Sequence, residues 1–280
     1  MTGAPTSHYL KLLDREIHYV EWGAGGREAV VMWHGLGRTG RDFDALAAHL
    51  APRQRVICPD TIGRGLSQWS PAPEREYCLA FYAPLALALV DRLGIDRLRW
   101  VGTSMGGAIG IAVAAGALKG RISHLVLNDI GPRIAAPAVE RICTYVGAPP
   151  RFVAMTELED YFRTVYKPFG IAVDSEWRRL AENSMRRTDD GMVMPHYDPR
   201  IVFQFIHHPE DYDLWAAFDA VTAKTLCIRG AESDLLLAET AAEMTRRGPR
   251  CRLETIAGCG HAPALNTPAQ IALIEDFLAS

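Results

Sequence analysis

The residues best suited to chemistry lie in "WVGTSMGGAIG", where Ser104 stands between Gly102 and Gly106. An apolar run precedes it and small residues follow, so G-x-S-x-G falls between an expected strand and an expected helix. That is the context of a nucleophile elbow, a turn so sharp that side chains at the flanking positions would collide. The same five residues also suit a plain glycine-rich turn with Ser104 as helix N-cap.

A serine hydroxyl is a weak nucleophile until a base takes its proton. His261 is the expected base: it lies in "AGCGHAPALNTP", a glycine-rich loop between the last expected strand and the last expected helix. Of the other histidines, His8, His18 and His49 fall in N-terminal strands or a helix, His124 begins a strand, His196, His207 and His208 fall in the aromatic-rich middle of the chain, and His34 is expected to organise its own loop. The base needs a carboxylate to orient it. Asp234, in "IRGAESDLLL", gives the order Ser…Asp…His and is the expected acid. Glu232 lies two residues away, and Asp129, in "VLNDIGP", is the competitor, with loop organisation as its alternative role. For the oxyanion of an acyl-transfer intermediate, the expected donors are the backbone N–H groups of Leu36, in "WHGLGRTG", and of Met105.

These loops need a frame. "AVVMW", "RVICPD", "LRWVG", "HLVLND", "KTLCIRG" and "RCRLETIAG" are short apolar runs separated by helical stretches. This alternation predicts an α/β fold with a mostly parallel sheet covered by helices on both faces. At the start, "HYLKLL" and "EIHYVEW" predict an antiparallel hairpin joined at "DR". Residues 131–215 break the rhythm: rich in aromatics and arginines, they predict a mainly helical insertion without a clear buried strand. The expected division is a core of residues 1–130 and 216–280 with an insertion of 131–215.

Composition narrows the function classes. A formal net charge of −3 argues against a nucleic-acid footprint or a basic membrane patch. The six cysteines contain no CxxC pair, which points to free thiols in a reducing, cytoplasmic compartment and to no metal site. The N-terminal stretch lacks the apolar core of a signal peptide, and no run is long and apolar enough for a transmembrane helix.

Taken in order, "HGLG", "PDTIGRGLS", "GTSMGG", "GAESD" and "GCGHAP" make the chain resemble capped serine esterases of the α/β-hydrolase fold. The resemblance implies an eight-stranded sheet, a helical cap inserted after the sixth strand, and structural roles for Asp60 and Ser67. Relatives of this fold that act as dehalogenases or epoxide hydrolases carry aspartate at the elbow, so serine points elsewhere. The expected activity is hydrolysis of a small-molecule carboxylic ester through an acyl-enzyme, without cofactor or metal. The alternatives are C–C bond hydrolysis of ring-fission products, lactone opening, and a receptor of the same fold that does not turn over. Hydroxynitrile-lyase chemistry looks for a cap lysine near the site, and Lys167 is the single lysine of the insertion. A homo-oligomer stays open.

Overall fold

The computed structural model describes residues 4–280. β1 (Thr6–Leu12) and β2 (Arg15–Trp22) form the N-terminal hairpin. Its turn is Leu13–Asp14, both with positive φ (49° and 60°), one residue earlier than expected. Paired positive-φ residues give the turn a twist that matches the flanking strands. Then follow β3 (Glu28–Trp33), α1 (Asp44–Leu50), β4 (Val56–Pro59), α2 (Pro73–Glu76), α3 (Leu79–Arg92), β5 (Arg97–Thr103), α4 (Met105–Ala115) and β6 (Ile122–Asn128). Between β6 and the next strand of the main sheet come α5 (Ala136–Val146), α6 (Met155–Val165), α7 (Asp174–Asn183), β7 (Met185–Arg187), β8 (Val193–Pro195), α8 (Phe203–His207) and α9 (Trp215–Ala220). The chain closes with β9 (Lys224–Gly230), α10 (Ala238–Met244), β10 (Arg252–Ile256) and α11 (Pro268–Ala279).

The main sheet has eight strands in the order β1-β2-β4-β3-β5-β6-β9-β10, and only β2 runs antiparallel to its neighbours. Strand residues alternate between two cores, as a period of two requires when both faces are covered. Val31, Trp33, Trp100, Leu125 and Leu127 pack under α3 and α4. Val30, Met32, Val101, Val126 and Ile228 pack on the other face with Leu46 and Leu50 of α1 and Phe277 of α11. α4 is buried on nearly every side, which explains its run of glycine and alanine.

The insertion is helical as expected, with one difference. β7 and β8 pair as a short antiparallel hairpin, and β8 is buried. Three-residue strands leave no alternation for a sequence pattern to show. The insertion packs in two ways. Leu158, Phe162, Trp177, Ala181 and Val193 form a small core of their own. Ala138, Ile142 and Val146 of α5, with Ile201 and Leu214, join the core of the main sheet.

The chain runs outward from β3 to β4 and back across to β5, so β3 and β5 are neighbours whose connections leave in opposite directions. Ligands in open α/β sheets bind outside the strand ends at such a switch point. The register aligns those ends: Trp33 pairs with Gly102, Thr103 with Asn128, and Asn128 with Ile228. Ser104 and Asp129 each stand one residue beyond this line.

Candidate active site

Ser104 adopts φ 52° and ψ −118° between the end of β5 and the start of α4. A positive φ is strained for a residue with a Cβ and persists only where surroundings enforce it. Here the Ser104 N–H donates to Asn128 O (3.0 Å), and its carbonyl accepts from Gly107 N (2.8 Å) and Ala108 N (3.1 Å). The flanking glycines answer to space. A Cβ on Gly106 would lie 2.0 Å from Trp33 O, and one on Gly102 would lie 2.3 Å from Gly106 O. The N-cap alternative fails on geometry, because the Ser104 side chain makes no capping bond. Its Oγ lies 2.9 Å from His261 Nε2.

The carboxylate that meets His261 is not the expected one. His261 Nδ1 meets Asp129 Oδ2 at 2.8 Å, and Asp129 is fully buried. The remaining acceptor sites of Asp129 are used as well: Gly230 N–H donates to Oδ1 (2.7 Å) and Ser233 Oγ to Oδ2 (2.5 Å). A carboxylate accepts only, so the Nδ1 it faces carries the proton and Nε2 is left to accept from Ser104. Asp234 is instead half-exposed and paired with Arg141 of α5 at 2.7 Å. The cause is the curl of the loop after β9. Ser233 N–H donates back to Gly230 O, which turns the Ser233 hydroxyl toward Asp129 and leaves the next side chain outside. Glu232 is also exposed.

The loop after β3 carries Leu36, and the first residue of α4 is Met105. A first helical residue has no carbonyl one turn earlier within its helix to receive its N–H. Two residues fix this region. Buried His34 donates Nδ1–H to Gly35 O (2.6 Å) and accepts at Nε2 from Thr61 N–H (2.9 Å), as its expected organising role requires. Burial lowers its pKa to about 4, so it stays neutral. Arg64, fully buried, donates Nε–H to Leu36 O (2.8 Å) and Nη1–H to Ile62 O and Tyr82 Oη, and its Nη2 lies 3.4 Å from Met105 Sδ. One guanidinium thus touches both residues expected to donate to an oxyanion. In the sequence it was hidden within "TIGRGLS". Asp60 and Ser67 of that stretch tie loops together: Asp60 accepts from Gly40 N, Leu66 N and His18 Nδ1, and Ser67 Oγ donates to Asp60 O.

A cleft partly open to solvent lies over Ser104 and His261. Its floor comes from residues 35–38 and 262–264, and its roof from the insertion, including Tyr145, Tyr166, Phe169 and Leu180. The insertion also holds the histidine loop. Gly260 N–H donates to Pro168 O (2.7 Å) and Ala264 N–H to Phe169 O (3.1 Å), bracketing His261. Pro168 and Phe169 line the cleft and Lys167 does not. Among the described residues, no group of three or more His, Cys, Asp or Glu could hold a metal ion, and no helix is long and apolar enough to cross a membrane.

Comparison with known proteins agrees with this architecture. Residues 30–272 match the model of the alpha/beta hydrolase family. The chain is 40% identical to a 3-hydroxybutyrate-oligomer hydrolase of Cupriavidus necator, over 92% of this chain and 91% of that protein. It is 27% identical to a 2-hydroxymuconate semialdehyde hydrolase of Pseudomonas sp. strain CF600, over 91% and 88%. The crystal structure of an alpha/beta hydrolase from Novosphingobium aromaticivorans superposes with a TM-score of 0.89 at 34% identity, covering 100% of this chain and 99% of that one. With its eight-stranded sheet, serine elbow and matching family model, the chain belongs to the alpha/beta hydrolase family.

Proposed function

We propose that the protein hydrolyses carboxylic esters through an acyl-enzyme on Ser104, and that its substrates are short oligomers of 3-hydroxybutyrate or a closely similar hydroxy acid. The observation that carries the chemistry is the hydrogen-bonded series Ser104 Oγ–His261 Nε2–Asp129, with separations of 2.9 and 2.8 Å. The substrate class draws on the 40% identical relative of that name.

In this reading Ser104 Oγ attacks the ester carbonyl as His261 Nε2 takes its proton. Asp129 holds the Nδ1–H and stabilises the imidazolium. The oxyanion of the tetrahedral intermediate accepts from the N–H groups of Leu36 and Met105. Collapse breaks the acyl–oxygen bond, and His261 returns the proton to the leaving alcohol. A water, deprotonated by the same His261, then attacks the acyl-enzyme and releases the acid and Ser104. Residues 131–215 act as a cap that roofs the site and sets substrate choice. The free thiols suit a cytoplasmic location.

A second reading, C–C bond hydrolysis of a ring-fission product, is favoured by the 27% identical relative. A panel with 3-hydroxybutyrate dimer and trimer, 4-nitrophenyl butyrate, a lactone and 2-hydroxymuconate semialdehyde separates the two. Repeated turnover of the dimer, lost in Ser104→Ala, is the expected result. Turnover of the semialdehyde alone would move the assignment to C–C hydrolysis. A single turnover per chain on every substrate would make the protein a receptor.

A further inference from the structure

The loop that carries His261 is held from two sides. The insertion holds it through Gly260 N–H to Pro168 O and Ala264 N–H to Phe169 O. The sheet side holds it as well. Before the histidine, Cys259 O accepts from Glu232 N–H (2.9 Å). After it, Pro263 O accepts from the side chain of Asn128, with Nδ2 at 2.9 Å. Asn128 is the last residue of β6 and is fully buried.

Asn128 is linked to the surroundings of Ser104, Asp129 and His261 alike. Its carbonyl accepts the Ser104 N–H, and its own peptide bond leads into Asp129. Its Nδ2 donates not only to Pro263 O but also to Oγ1 of Thr103 (3.0 Å), the residue before Ser104. Chemistry fixes the orientation of the amide: Pro263 O can only accept, so the group facing it is the NH2. Both Nδ2 protons are therefore used, one on the segment that enters Ser104 and one on the segment that leaves His261. Oδ1 is left buried without a partner. A buried acceptor without a partner is destabilising. Leucine, of similar size, would remove that cost, and the preceding strand positions, Leu125, Val126 and Leu127, are all buried and apolar. What leucine lacks is the two donors. The residue type at 128 answers to those two bonds and not to the core around it.

We propose that Asn128 is a positioning residue of the reaction: by tying Pro263 to the strand ends that carry Thr103 and Asp129, its amide sets His261 Nε2 against Ser104 Oγ. It acts without touching substrate, since it is fully buried and does not line the cleft. The inference rests on the ester-hydrolase reading, in which His261 takes a proton in acylation and again in deacylation. A histidine displaced by about 1 Å slows both steps, by as much as about 10²-fold. When the two steps slow alike, kcat falls and KM stays where it was. A residue that binds substrate on the cleft wall changes KM instead.

Asn128→Leu keeps the volume and removes both donors. Two measurements separate positioning from support of the fold. The end point of labelling with a fluorophosphonate counts the chains that hold a competent Ser104. Steady-state hydrolysis of 4-nitrophenyl butyrate then gives kcat and KM per competent chain. The expected result is labelling of nearly every chain, a fall in kcat of about 30-fold or more, and KM within about three-fold of wild type. The rate of labelling falls together with kcat, because that attack also needs His261 to take the Ser104 proton. A residue that only supports the fold behaves otherwise: fewer chains are competent, and those that remain keep the wild-type kcat. That outcome overturns the inference, and so does a change in KM at unchanged kcat.

Should Asn128→Leu fail to fold, Asn128→Ser is read in the same way. A single hydroxyl on Cβ has one proton and cannot donate to Thr103 and Pro263 together. The same loss of kcat per competent chain is expected, and a wild-type kcat overturns the inference. Failure of the underlying reading looks different, because Ser104→Ala would then still cleave the ester.

Discussion

At the residue scale, the difference between two aspartates decides how the site works. Asp129 is buried, meets His261, and has its other lone pairs taken by Gly230 N–H and Ser233 Oγ. Asp234 faces Arg141 in water. Asp129→Asn should lower kcat by about 10⁴-fold, since the amide can no longer hold the required tautomer. Asp234→Asn should change kcat/KM by less than about three-fold, as removal of an exposed ion pair does. Steady-state kinetics on one ester settles both, and reversed effects would return the acid to the loop after β9. Ser104 and His261 were legible because local signals mark them: a glycine-framed turn for one, a glycine-rich loop before the last helix for the other. The acid was not. Asp129 and Asp234 both follow a strand and both precede His261, and chain order cannot rank them. The ranking comes from strand register, which puts Asp129 one residue past the sheet edge beside Ser104, and from the inward turn of Ser233. Arg64 was missed for a related reason. Arginine in a glycine-rich loop reads as solvated, and only packing shows that it is buried.

At the scale of elements, the alternation of apolar strands and helices made the sheet readable, and the long aromatic segment after β6 made the insertion readable. The β7–β8 hairpin was too short to leave a pattern. The insertion supplies both its own core and the roof of the cleft, and these parts predict different mutant behaviour. Leu158 is fully buried within the insertion and is not on the cleft wall. Leu158→Ala should cost about 2–5 kcal/mol and lower the melting temperature. Leu180 is partly buried on the same small core and does line the cleft. Leu180→Ala should shift the preference between a short and a longer ester, read as a ratio of kcat/KM, with a smaller fall in melting temperature. If only variants that melt early change the ratio, the insertion is scaffold and the specificity lies in the loops of the main sheet.

At the scale of the whole molecule, the buried loop beneath the site couples stability to pH. His34 has its pKa lowered by burial, from 6.5 to about 4. Below about pH 6.5 the unfolded chain takes up a proton that the native chain refuses, so this contribution shrinks as pH falls and is gone near pH 4. Shifts of this size correspond to about 3 kcal/mol. Denaturant unfolding of wild type and His34→Gln between about pH 7 and pH 4.5 should show the wild type losing its advantage on acidification; an advantage that is constant or grows would contradict this. The central claim remains the covalent step, in which one oxygen of one serine carries the acyl group between two halves of the reaction. Rapid acid quenching during turnover of 3-hydroxybutyrate dimer, followed by peptide mass spectrometry, tests it directly. The account predicts a 3-hydroxybutyryl group on the peptide containing Ser104, at no more than one per chain, and neither adduct nor turnover in Ser104→Ala. Hydrolysis of the dimer by Ser104→Ala, or an acyl group trapped on another residue, would contradict it.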